Sequence, residues 1–488
     1  MMDERNNPTH HDLAPDEFQK YARSAIDWIV RYVSDMNAYP VLAQTPPGAI
    51  KSLLPTEPPS DGESFDQILA DFQNIIMPGI THWNHPRFFA YFSITGSLPG
   101  LIGEMLSNAL NVNAMLWKTS PAATELEERV LEWLRTMIGL PAEFEGIIND
   151  TASVSSLCAM AAAREAAGLD IRKQGMAART DIPPLRVYIS EESHSSIEKA
   201  AIVLGFGQES VRKIRTDDSF RMRVDSLYEA ISNDIRRGDK PVCVVATIGT
   251  TSTTSIDPIK QIVNICRDAG AWLHIDAAYG GSAAVLPDIR VLFDAWDQAD
   301  SIVVNPHKWL FTQVDCSVLY CRRPDILKQA FSLTPEYLKT AEADTVKNYM
   351  DYGVALGRRF RALKLWMVIR ALGQRKIQNV IQEHIGFADK LASQIEAHPQ
   401  FELLAPHPFS TLVLRWKPVG IQDVDKLNSL NEQLLNAVNA AGQVFMSHTK
   451  LRGSFGIRLA IGNLKTTWDD VALAWTLLQQ HAAQIASH

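Results

Sequence analysis

The stretch Ser301-Ile-Val-Val-Asn-Pro-His-Lys-Trp-Leu310 decides the fold. Its first four residues form a mostly β-branched run typical of a buried strand, and Pro306 ends that strand because proline cannot donate to a central ladder. His307 and Lys308 therefore follow directly beyond the strand's carboxyl end, where ligands bind in open α/β sheets. Desolvation lowers the pKa of a lysine, and the neutral amine can form a Schiff base with a carbonyl. The alternative is a partly buried lysine paired with a carboxylate.

The composition is that of a large protein without a nucleic-acid or membrane signature. The chain has 488 residues, of which 46% are hydrophobic and 21% are charged, and its net charge is -8. This suffices for a large core, no basic run indicates nucleic-acid binding, and no apolar run approaches the roughly 20 residues of a membrane-spanning helix. The polar beginning of the chain does not resemble a signal peptide. The five cysteines lack metal-type spacing, so we expect no metal site and a reduced, cytoplasmic protein.

The middle of the chain alternates between strand and helix patterns. Apolar runs predict strands at residues 185–190, 242–248, 272–276, 301–304 and 317–321. Helical spacing predicts helices at 195–205 and 258–269 between them. This alternation predicts an α/β fold with a mainly parallel sheet and helices on both faces.

The pattern divides the chain into three units. Residues 1–85 hold two predicted helices, 15–37 and 64–76, joined by an extended proline-rich connector. This N-terminal helical arm is too thin to bury its own apolar faces, so we expect it to pack on a second copy of the chain or on the main domain. Residues 86–375 form the predicted large domain, and residues 376–488 form a smaller α+β C-terminal domain.

Two further stretches carry candidate ligand contacts. Residues 82–92 are the densest aromatic cluster, which is either a core plug or an aromatic wall for a flat ligand. Residues 149–153 form a polar loop that we expect to start at about 147 and to run into an alanine-rich helix at 154–167. Free N–H groups and the helix dipole favour an anion at such a helix N-terminus. The alternative is a capped helix without a ligand.

Polar side chains cluster at the strand ends of the predicted sheet. They are His194, Thr251, Asp276, Asn305, His307 and Lys308. Asp276 follows an apolar strand and needs a cationic or hydrogen-bonded partner, and a protonated pyridine nitrogen would serve. With Lys308 to hold an aldehyde and the loop at 151–153 to hold a phosphate, the set specifies pyridoxal 5'-phosphate.

These motifs resemble those of the group II pyridoxal-phosphate-dependent amino acid decarboxylases of the aromatic-L-amino-acid type. The resemblance extends over roughly residues 15–485. It implies the aspartate-aminotransferase fold, or fold type I, and a homodimer with shared active sites. The motifs that carry it are Asn305-Pro-His-Lys-Trp-Leu with Asp315-Cys316, His274-Ile-Asp-Ala-Ala-Tyr-Gly-Gly-Ser, Thr119-Ser-Pro-Ala-Ala-Thr-Glu-Leu-Glu and Leu356-Gly-Arg-Arg-Phe-Arg-Ala-Leu-Lys.

The resemblance also implies a role for each matching residue. Lys308 would hold the cofactor as a Schiff base, His194 would stack on its ring, and Asp276 would pair with the ring nitrogen. The other implied cofactor contacts are Ala152, Ser153, Thr251, Ala278, Asn305 and His307. The implied substrate pocket contains Trp83, Tyr91, Phe92, Met115 and Gly357.

Tyr337 favours decarboxylation over related reactions. Thr334-Pro-Glu-Tyr-Leu-Lys matches the family's catalytic loop, in which this tyrosine returns a proton after CO2 leaves, whereas related aldehyde synthases carry phenylalanine there. The expected function is therefore conversion of an aromatic L-amino acid into its amine and CO2. An aromatic aldehyde synthase, another lyase or transaminase of the same fold and a catalytically silent homologue are the alternatives.

The substrate pocket departs from the family's pattern. Ser93 and Ile94 replace the usual Pro-Thr pair, and Met115 replaces an aromatic residue that enters from the partner subunit. Glycine at the position of Gly357 goes with indolic substrates in related plant enzymes and serine with phenolic ones, although the glycine could serve the backbone alone. Tryptophan or hydroxytryptophan, phenylalanine, tyrosine and dopa all remain candidate substrates.

Overall fold

The computed structural model describes residues 12–333, 342 and 345–487. Its larger sheet has seven strands in the order β1-β7-β6-β5-β4-β2-β3. The strands are β1 (Glu145–Asn149), β2 (Leu185–Ser190), β3 (Val211–Ile214), β4 (Lys240–Thr247), β5 (Trp272–Asp276), β6 (Ser301–Val304) and β7 (Ser317–Cys321).

The sheet is mainly parallel, as the alternating pattern predicts. The pairs β2–β3, β2–β4, β4–β5 and β5–β6 are parallel, whereas β7 runs antiparallel to both of its neighbours, β1 and β6. Because β7 is reversed, β6 connects to it without a long crossover helix. That connection, residues 305–316, lies at the carboxyl end of β6 and carries Lys308. The α/β fold of type I is therefore confirmed.

Helices cover this sheet and extend to both chain ends. In chain order they are α1 (Pro15–Ser34), α2 (Ala49–Leu53), α3 (Phe65–Asp71), α4 (Leu98–Leu110), α5 (Pro121–Met137), α6 (Ala152–Ala166), α7 (Ile171–Gln174), α8 (Ser196–Val203), α9 (Val224–Arg236), α10 (Ile259–Ala269), α11 (Pro306–Trp309), α12 (Pro324–Phe331), α13 (Arg361–Glu396), α14 (Val424–Ala440) and α15 (Trp468–Ala486). Among these described helices, none is both long enough and apolar enough to cross a bilayer.

A second sheet of four antiparallel strands follows the long helix α13. Its strands are β8 (Phe401–Leu403), β9 (Thr411–Trp416), β10 (Ser447–Leu451) and β11 (Ser454–Ala460), in the order β10-β11-β9-β8. Gly373 interrupts α13 with non-helical backbone angles, φ 70° and ψ 157°, which glycine adopts at no steric cost. The segment of α13 beyond this kink packs on the second sheet together with α14 and α15. This arrangement supports a boundary near residue 375, and the three-unit division stays a prediction.

Apolar side chains are exposed along the helices α1 and α4. Within the described chain, α1 has no buried side chain, and Phe18 and Val30 are 62% and 54% exposed. The helix α4 exposes a second apolar set, Leu98, Ile102, Met105, Leu106 and Leu110. Contiguous apolar surface of this kind is typical of an interface between proteins.

Several elements differ from the sequence-based expectation. The strand β1 replaces the first part of the predicted loop at 147–153, and β3 and β10 were not predicted. All three strands lie at sheet edges. An edge strand pairs on one side only and tolerates polar residues, so its sequence lacks the apolar run of a central strand. In the connector that was predicted to be extended, residues 49–53 form the short helix α2.

Candidate active site

A cavity of about 210 Å³ lies at the carboxyl ends of the central strands. The ends of β4, β5 and β6, the N-terminus of α6 and the loop before α8 all contribute to it. Its lining residues are Phe92, Thr151, Ala152, Ser153, His194, Thr247, Gly249, Thr251, Asp276, Ala278, Tyr279, Asn305, His307 and Lys308. Every cofactor contact that was predicted from the sequence thus lies in the wall of one cavity. Their roles there remain predictions.

Lys308 stands in the short helix α11, directly beyond β6. Its Nζ lies 5.1 Å from the centroid of the Phe92 ring, a cation–π distance. Burial lowers the pKa of Lys308, the nearby carboxylate of Asp276 opposes this shift, and the guanidinium of Arg458 adds to it. Since the neutral amine is the nucleophilic form, this environment suits Schiff-base formation.

Asp276 is the last residue of β5 and is only 7% exposed. Its Oδ1 accepts a hydrogen bond from the backbone N–H of Ala278 at 3.1 Å. Within the described residues it forms no ion pair with a nearby cation. A buried carboxylate is costly without a charged or hydrogen-bonded partner, so a protonated ring nitrogen in the cavity would complete this site.

His194 lies in the loop between β2 and α8, and its ring nitrogens can be told apart. Nδ1 accepts a hydrogen bond from the backbone N–H of Ser196 at 3.2 Å and lies 2.8 Å from the Ser196 hydroxyl oxygen. A backbone N–H can only donate, so Nδ1 is unprotonated and Nε2 carries the proton of the neutral ring. Partial burial lowers the pKa of His194, which favours this neutral form.

The opposite side of the cavity presents hydrogen-bond donors. In α6 the first backbone N–H bonded within the helix is that of Val154, which donates to the Thr151 carbonyl at 3.1 Å. The preceding N–H groups of Ala152 and Ser153 have no protein acceptor among the described residues. A helix N-terminus with unbonded N–H groups favours an anion such as a phosphate.

The hydrogen bonds of His307 determine how the amide of Asn305 is oriented. The backbone N–H of Cys316 donates to His307 Nδ1 at 2.8 Å, so the neutral ring carries its proton on Nε2. Nε2 lies 3.3 Å from the atom placed as Asn305 Nδ2, while Asn305 Oδ1 has no partner in the described chain. Exchanging the amide oxygen and nitrogen pairs Nε2–H with the oxygen. The NH₂ group is then free to donate to an anion.

A buried carboxylate shapes the loop that carries Gly249 and Thr251. Asp257 accepts hydrogen bonds from the backbone N–H groups of Thr247 at 2.8 Å and Met222 at 2.7 Å. Burial raises the pKa of Asp257 to about 6. Because Thr247 lines the cavity and Asp257 closes the loop behind it, this carboxylate holds that part of the wall in place.

The predicted substrate-pocket residues do not lie together in the described chain. Phe92 lines the cavity, whereas Trp83 and Tyr91 stack on each other at 5.7 Å and do not line it. Met115 and Gly357 lie outside the cavity wall, on either side of Asn113. Tyr337, predicted to be catalytic, falls outside the described residues.

Arg458 is a residue near the site that sequence reasoning missed. It lies in β11, is 3% exposed, and places its guanidinium 4.5 Å from the centroid of Phe92. It donates hydrogen bonds to the carbonyl oxygens of Ser252, at 3.2 Å, and Tyr91. Burial lowers the pKa of Arg458 to about 10. An arginine inside an otherwise apolar strand was the available signal.

Pyridoxal phosphate fits this arrangement of groups. The cavity offers a lysine with a lowered pKa, a buried carboxylate that forms no ion pair in the described chain, and phosphate-type donors from α6 and Asn305. These groups match the cofactor's aldehyde, ring nitrogen and phosphate in turn.

The pH dependence of stability should reflect four buried histidines. Burial lowers the pKa of His85, His274 and His384 to about 4 and that of His307 to about 3, from an ordinary value of 6.5. At pH values between the lowered pKa of each histidine and its ordinary value, the unfolded chain binds a proton that the folded chain does not. The free energy of unfolding should therefore fall as the pH falls. Asp257 acts in the opposite direction: its pKa is raised to about 6, so the folded chain binds one proton there that the unfolded chain does not. This offsets one of the four histidine protons. We expect these five groups together to contribute a loss of at most about 4 kcal/mol per pH unit.

Urea unfolding followed by tryptophan fluorescence between about pH 7 and about pH 5 measures this slope. His274→Gln should reduce the slope by about one proton's contribution. An unfolding midpoint that does not change across this range would contradict the assignment of neutral buried histidines.

Known proteins resemble this chain over almost its whole length. Residues 47–417 match the family described as "Pyridoxal-dependent decarboxylase conserved domain". Tyrosine decarboxylase 4 of Petroselinum crispum is 39% identical over 483 residues, which are 96% of this chain and 94% of that relative. Phenylacetaldehyde synthase of a Rosa hybrid cultivar is 38% identical over 491 residues, 97% of this chain and 96% of that relative. Relatives named as a decarboxylase and as an aldehyde synthase thus lie at nearly equal identity.

A solved structure extends the similarity to three dimensions. The Catharanthus roseus tryptophan decarboxylase in complex with L-tryptophan superposes with a TM-score of 0.91 at 35% identity. The match covers 97% of this chain and 100% of that one. The likeness therefore includes the arm, the large sheet and the smaller C-terminal sheet.

Proposed function

Because the chain belongs to the pyridoxal-dependent decarboxylase family, we propose that it converts an aromatic L-amino acid into the corresponding amine and CO2. The observation that carries this proposal is the cavity in which Lys308, Asp276 and the N-terminus of α6 face one another. The aromatic ring of Phe92 in the same wall supports a flat, apolar substrate. The decarboxylase relatives of this chain act, by their names, on tyrosine and tryptophan.

The chain's own residues have distinct tasks in this reaction. Bound pyridoxal phosphate supplies an aldehyde for the amino group and a ring that accepts the electrons left when CO2 departs. Asp276 would keep a proton on the ring nitrogen, and the N–H groups of Ala152 and Ser153 with the Asn305 amide would hold the phosphate. Lys308 would hold the cofactor between turnovers. His194 presents a protonated Nε2, and the ring of Phe92 covers one side of the lysine amine.

Tyr337 is the proposed proton donor to the carbon that loses CO2. This proposal rests on the match of residues 334–339 to the family's catalytic loop. A donor here favours the amine, because protonation removes the electron-rich carbon before oxygen can react with it. The alternative product is an aldehyde. The similarity of this chain to phenylacetaldehyde synthase supports that alternative.

A panel of L-amino acids tests the function directly. Purified protein loaded with pyridoxal phosphate is given tryptophan, 5-hydroxytryptophan, tyrosine, dopa and phenylalanine, and amine, CO2, ammonia and hydrogen peroxide are measured. Equal amounts of amine and CO2 from an aromatic substrate are expected. Ammonia with peroxide would identify an aldehyde synthase, dependence on a keto acid would identify a transaminase, and no product from any substrate would reject the proposal.

The working form is proposed to be a cytoplasmic homodimer. The exposed apolar faces of α1 and α4 support a second copy as their partner, since an isolated chain would leave them in water. Met115 and Gly357 lie away from the cavity of their own chain, which supports a role for this region in the partner's site. The five cysteines are buried free thiols, which supports a reducing compartment.

Mixed dimers of two variants that form no amine by themselves test the sharing of active sites. Lys308→Ala removes the cofactor lysine, and Tyr337→Phe is expected to replace amine by aldehyde and peroxide. If the tyrosine serves the neighbouring subunit, a mixed dimer contains one site with both groups intact, so amine formation should return. Amine and peroxide are measured in the mixture and in each variant alone. Exchanged subunits that form no amine would show that both groups come from one chain.

Gly357 supports a substrate with a large ring. Among the described residues, a Cβ built at this position has only Asn113 Nδ2 within 4 Å, at 3.8 Å, and the backbone is not left-handed. A serine would therefore fit without strain, which weakens the alternative that glycine is needed only for the backbone. The flexible thioether side chain of Met115 can change its conformation to make room for a bicyclic ring. We therefore propose that tryptophan or a hydroxytryptophan is accepted.

Gly357→Ser should lower kcat/KM for tryptophan more than for tyrosine, by about tenfold. The added hydroxymethyl group would occupy space that the larger indole ring needs. Steady-state kinetics with both substrates measure the ratio, and Gly62→Ser is the matched control because Gly62 lies in open space. Equal losses on both substrates would assign Gly357 to the backbone and not to the choice of ring.

A further inference from the structure

Three aromatic rings form a stack that begins in the cavity wall, and the imidazole of His384 lies against the edge of the third ring. Phe92 lies on Tyr279 with ring centroids 3.9 Å apart, and Tyr279 lies on Trp309 at 4.7 Å with the two planes 4° apart. The imidazole of His384 lies edge to edge with Trp309: the ring centroids are 6.4 Å apart, the planes differ by 5°, and a hydrogen bond joins the two edges. The stack therefore runs from the ring beneath the Lys308 amine to the long helix α13.

Hydrogen bonds fix the far end of the stack. The indole N–H of Trp309 donates to His384 Nδ1 at 3.0 Å, and His384 Nε2 lies 3.0 Å from the carbonyl oxygen of Asn463. A carbonyl can only accept, so Nε2 carries the proton and Nδ1 is the acceptor for the indole. His384 is fully buried, and burial lowers its pKa to about 4. The ring therefore stays neutral at neutral pH and keeps both hydrogen bonds.

Hydrogen bonds also hold Tyr279, the middle ring of the stack. Its hydroxyl lies 2.7 Å from the Ser410 hydroxyl, which donates to the carbonyl oxygen of Ile461 at 2.6 Å. The serine oxygen is thus the acceptor for the tyrosine O–H. Ser410 precedes β9 and Ile461 follows β11, so Tyr279 is anchored to the region of the second sheet. Trp309 is anchored to the same region, because its partner His384 bonds to the carbonyl of Asn463.

We propose that His384 is a positioning residue for Lys308, acting through Trp309. Trp309 follows Lys308 in the chain and is the last residue of α11, so a buried and hydrogen-bonded indole anchors the short helix whose backbone carries the lysine. The same indole supports Tyr279, and through it Phe92. The hydrogen bond that His384 accepts from Trp309 therefore helps to position both the lysine backbone and the ring beneath its amine.

The cofactor reaction makes this position matter. A misplacement of about 1 Å in a reacting group can cost about a hundredfold in rate. The inference rests on the proposed pyridoxal phosphate site, since a lysine without a cofactor needs no such alignment. Reduction of the protein–cofactor adduct with borohydride, followed by peptide mass spectrometry, measures attachment at Lys308 independently of turnover. The concentration of pyridoxal phosphate that gives half-maximal trapping is the quantity to compare.

Three variants remove the hydrogen bond in different ways. His384→Phe keeps an aromatic ring beside Trp309 but deletes the hydrogen bonds to the indole and to the Asn463 carbonyl. Trp309→Phe deletes only the indole N–H. Each should raise the half-trapping concentration about tenfold. The double variant should lose about tenfold in total and not about a hundredfold, because both changes break one shared interaction. Additive losses would overturn the proposal.

Two further variants separate positioning from general stability. His384→Gln can accept from the indole and donate to the carbonyl, so it should return trapping to within about threefold of the parent protein. Phe401→Leu disturbs a buried contact with Trp475, at 4.8 Å, away from the stack, and should lower the unfolding midpoint without changing trapping. Equal weakening by Phe401→Leu, or no rescue by His384→Gln, would overturn the proposal. Absence of trapping at Lys308 in the parent protein would instead reject the proposed function.

Discussion

Lys308→Ala should abolish amine formation, with a loss of several orders of magnitude in kcat. The amine of Lys308 is the cavity's attachment point for an aldehyde, and its pKa is lowered by burial. No other lysine lines the cavity among the described residues. The variant should also lose the visible absorbance of lysine-bound cofactor, while phosphate binding at α6 can persist because those donors are unchanged.

The measurement pairs CO2 release with the absorbance spectrum of the loaded protein. Lys260→Ala is the matched control, since Lys260 is an exposed lysine paired with Asp294 at 3.1 Å and should behave as the parent protein. Thermal unfolding of the variant without cofactor verifies that the fold is kept. Activity within about tenfold of the parent protein would show that Lys308 does not take part in the reaction.

Asp276→Asn should lower kcat/KM by roughly a thousandfold or more. Asparagine keeps the size of the side chain and can still accept from the Ala278 N–H, but it removes the negative charge. Without that charge the ring nitrogen loses the group that keeps it protonated, and the ring becomes a weaker electron acceptor. Electrostatic stabilisation of developing charge is often the largest single contribution to catalysis.

Two measurements distinguish this role from a structural one. Cofactor trapping at Lys308 should persist in Asp276→Asn, because the lysine and the phosphate donors remain, while turnover is lost. Asp268→Asn, on the exposed side of α10, should leave both trapping and turnover unchanged. A loss in kcat/KM of less than about tenfold for Asp276→Asn would be evidence against the pairing with the ring nitrogen.

The central strands and their polar ends could be predicted from the sequence. The bounds of β5, β6 and β7 agree with the prediction, because each is a short apolar run between clear breakers. Asp276 and Lys308 then follow at strand ends, and parallel strands bring their carboxyl ends to one edge of the sheet. The edge strands β1, β3 and β10 were missed because they lack that apolar signal.

Contacts between distant residues could not be predicted in this way. Arg458 reaches Phe92 from the second sheet, and His384 reaches Trp309 from α13. The orientation of the Asn305 amide depends on the hydrogen bond that the Cys316 N–H donates to His307, which only the folded chain provides. None of these has a spacing in the chain that identifies its partner.

The sequence by itself determined the fold class, the family and the chemical kind of the site, because these depend on local runs and on residue types at strand ends. The tertiary structure alone decided which rings support the lysine and which predicted pocket residues lie outside the cavity of one chain. Trp83 and Tyr91 stack on each other outside that wall, although they stand in the same aromatic run as Phe92. The physical reason is that side-chain direction follows from the packing of distant elements, whereas strand ends follow from local residue preferences.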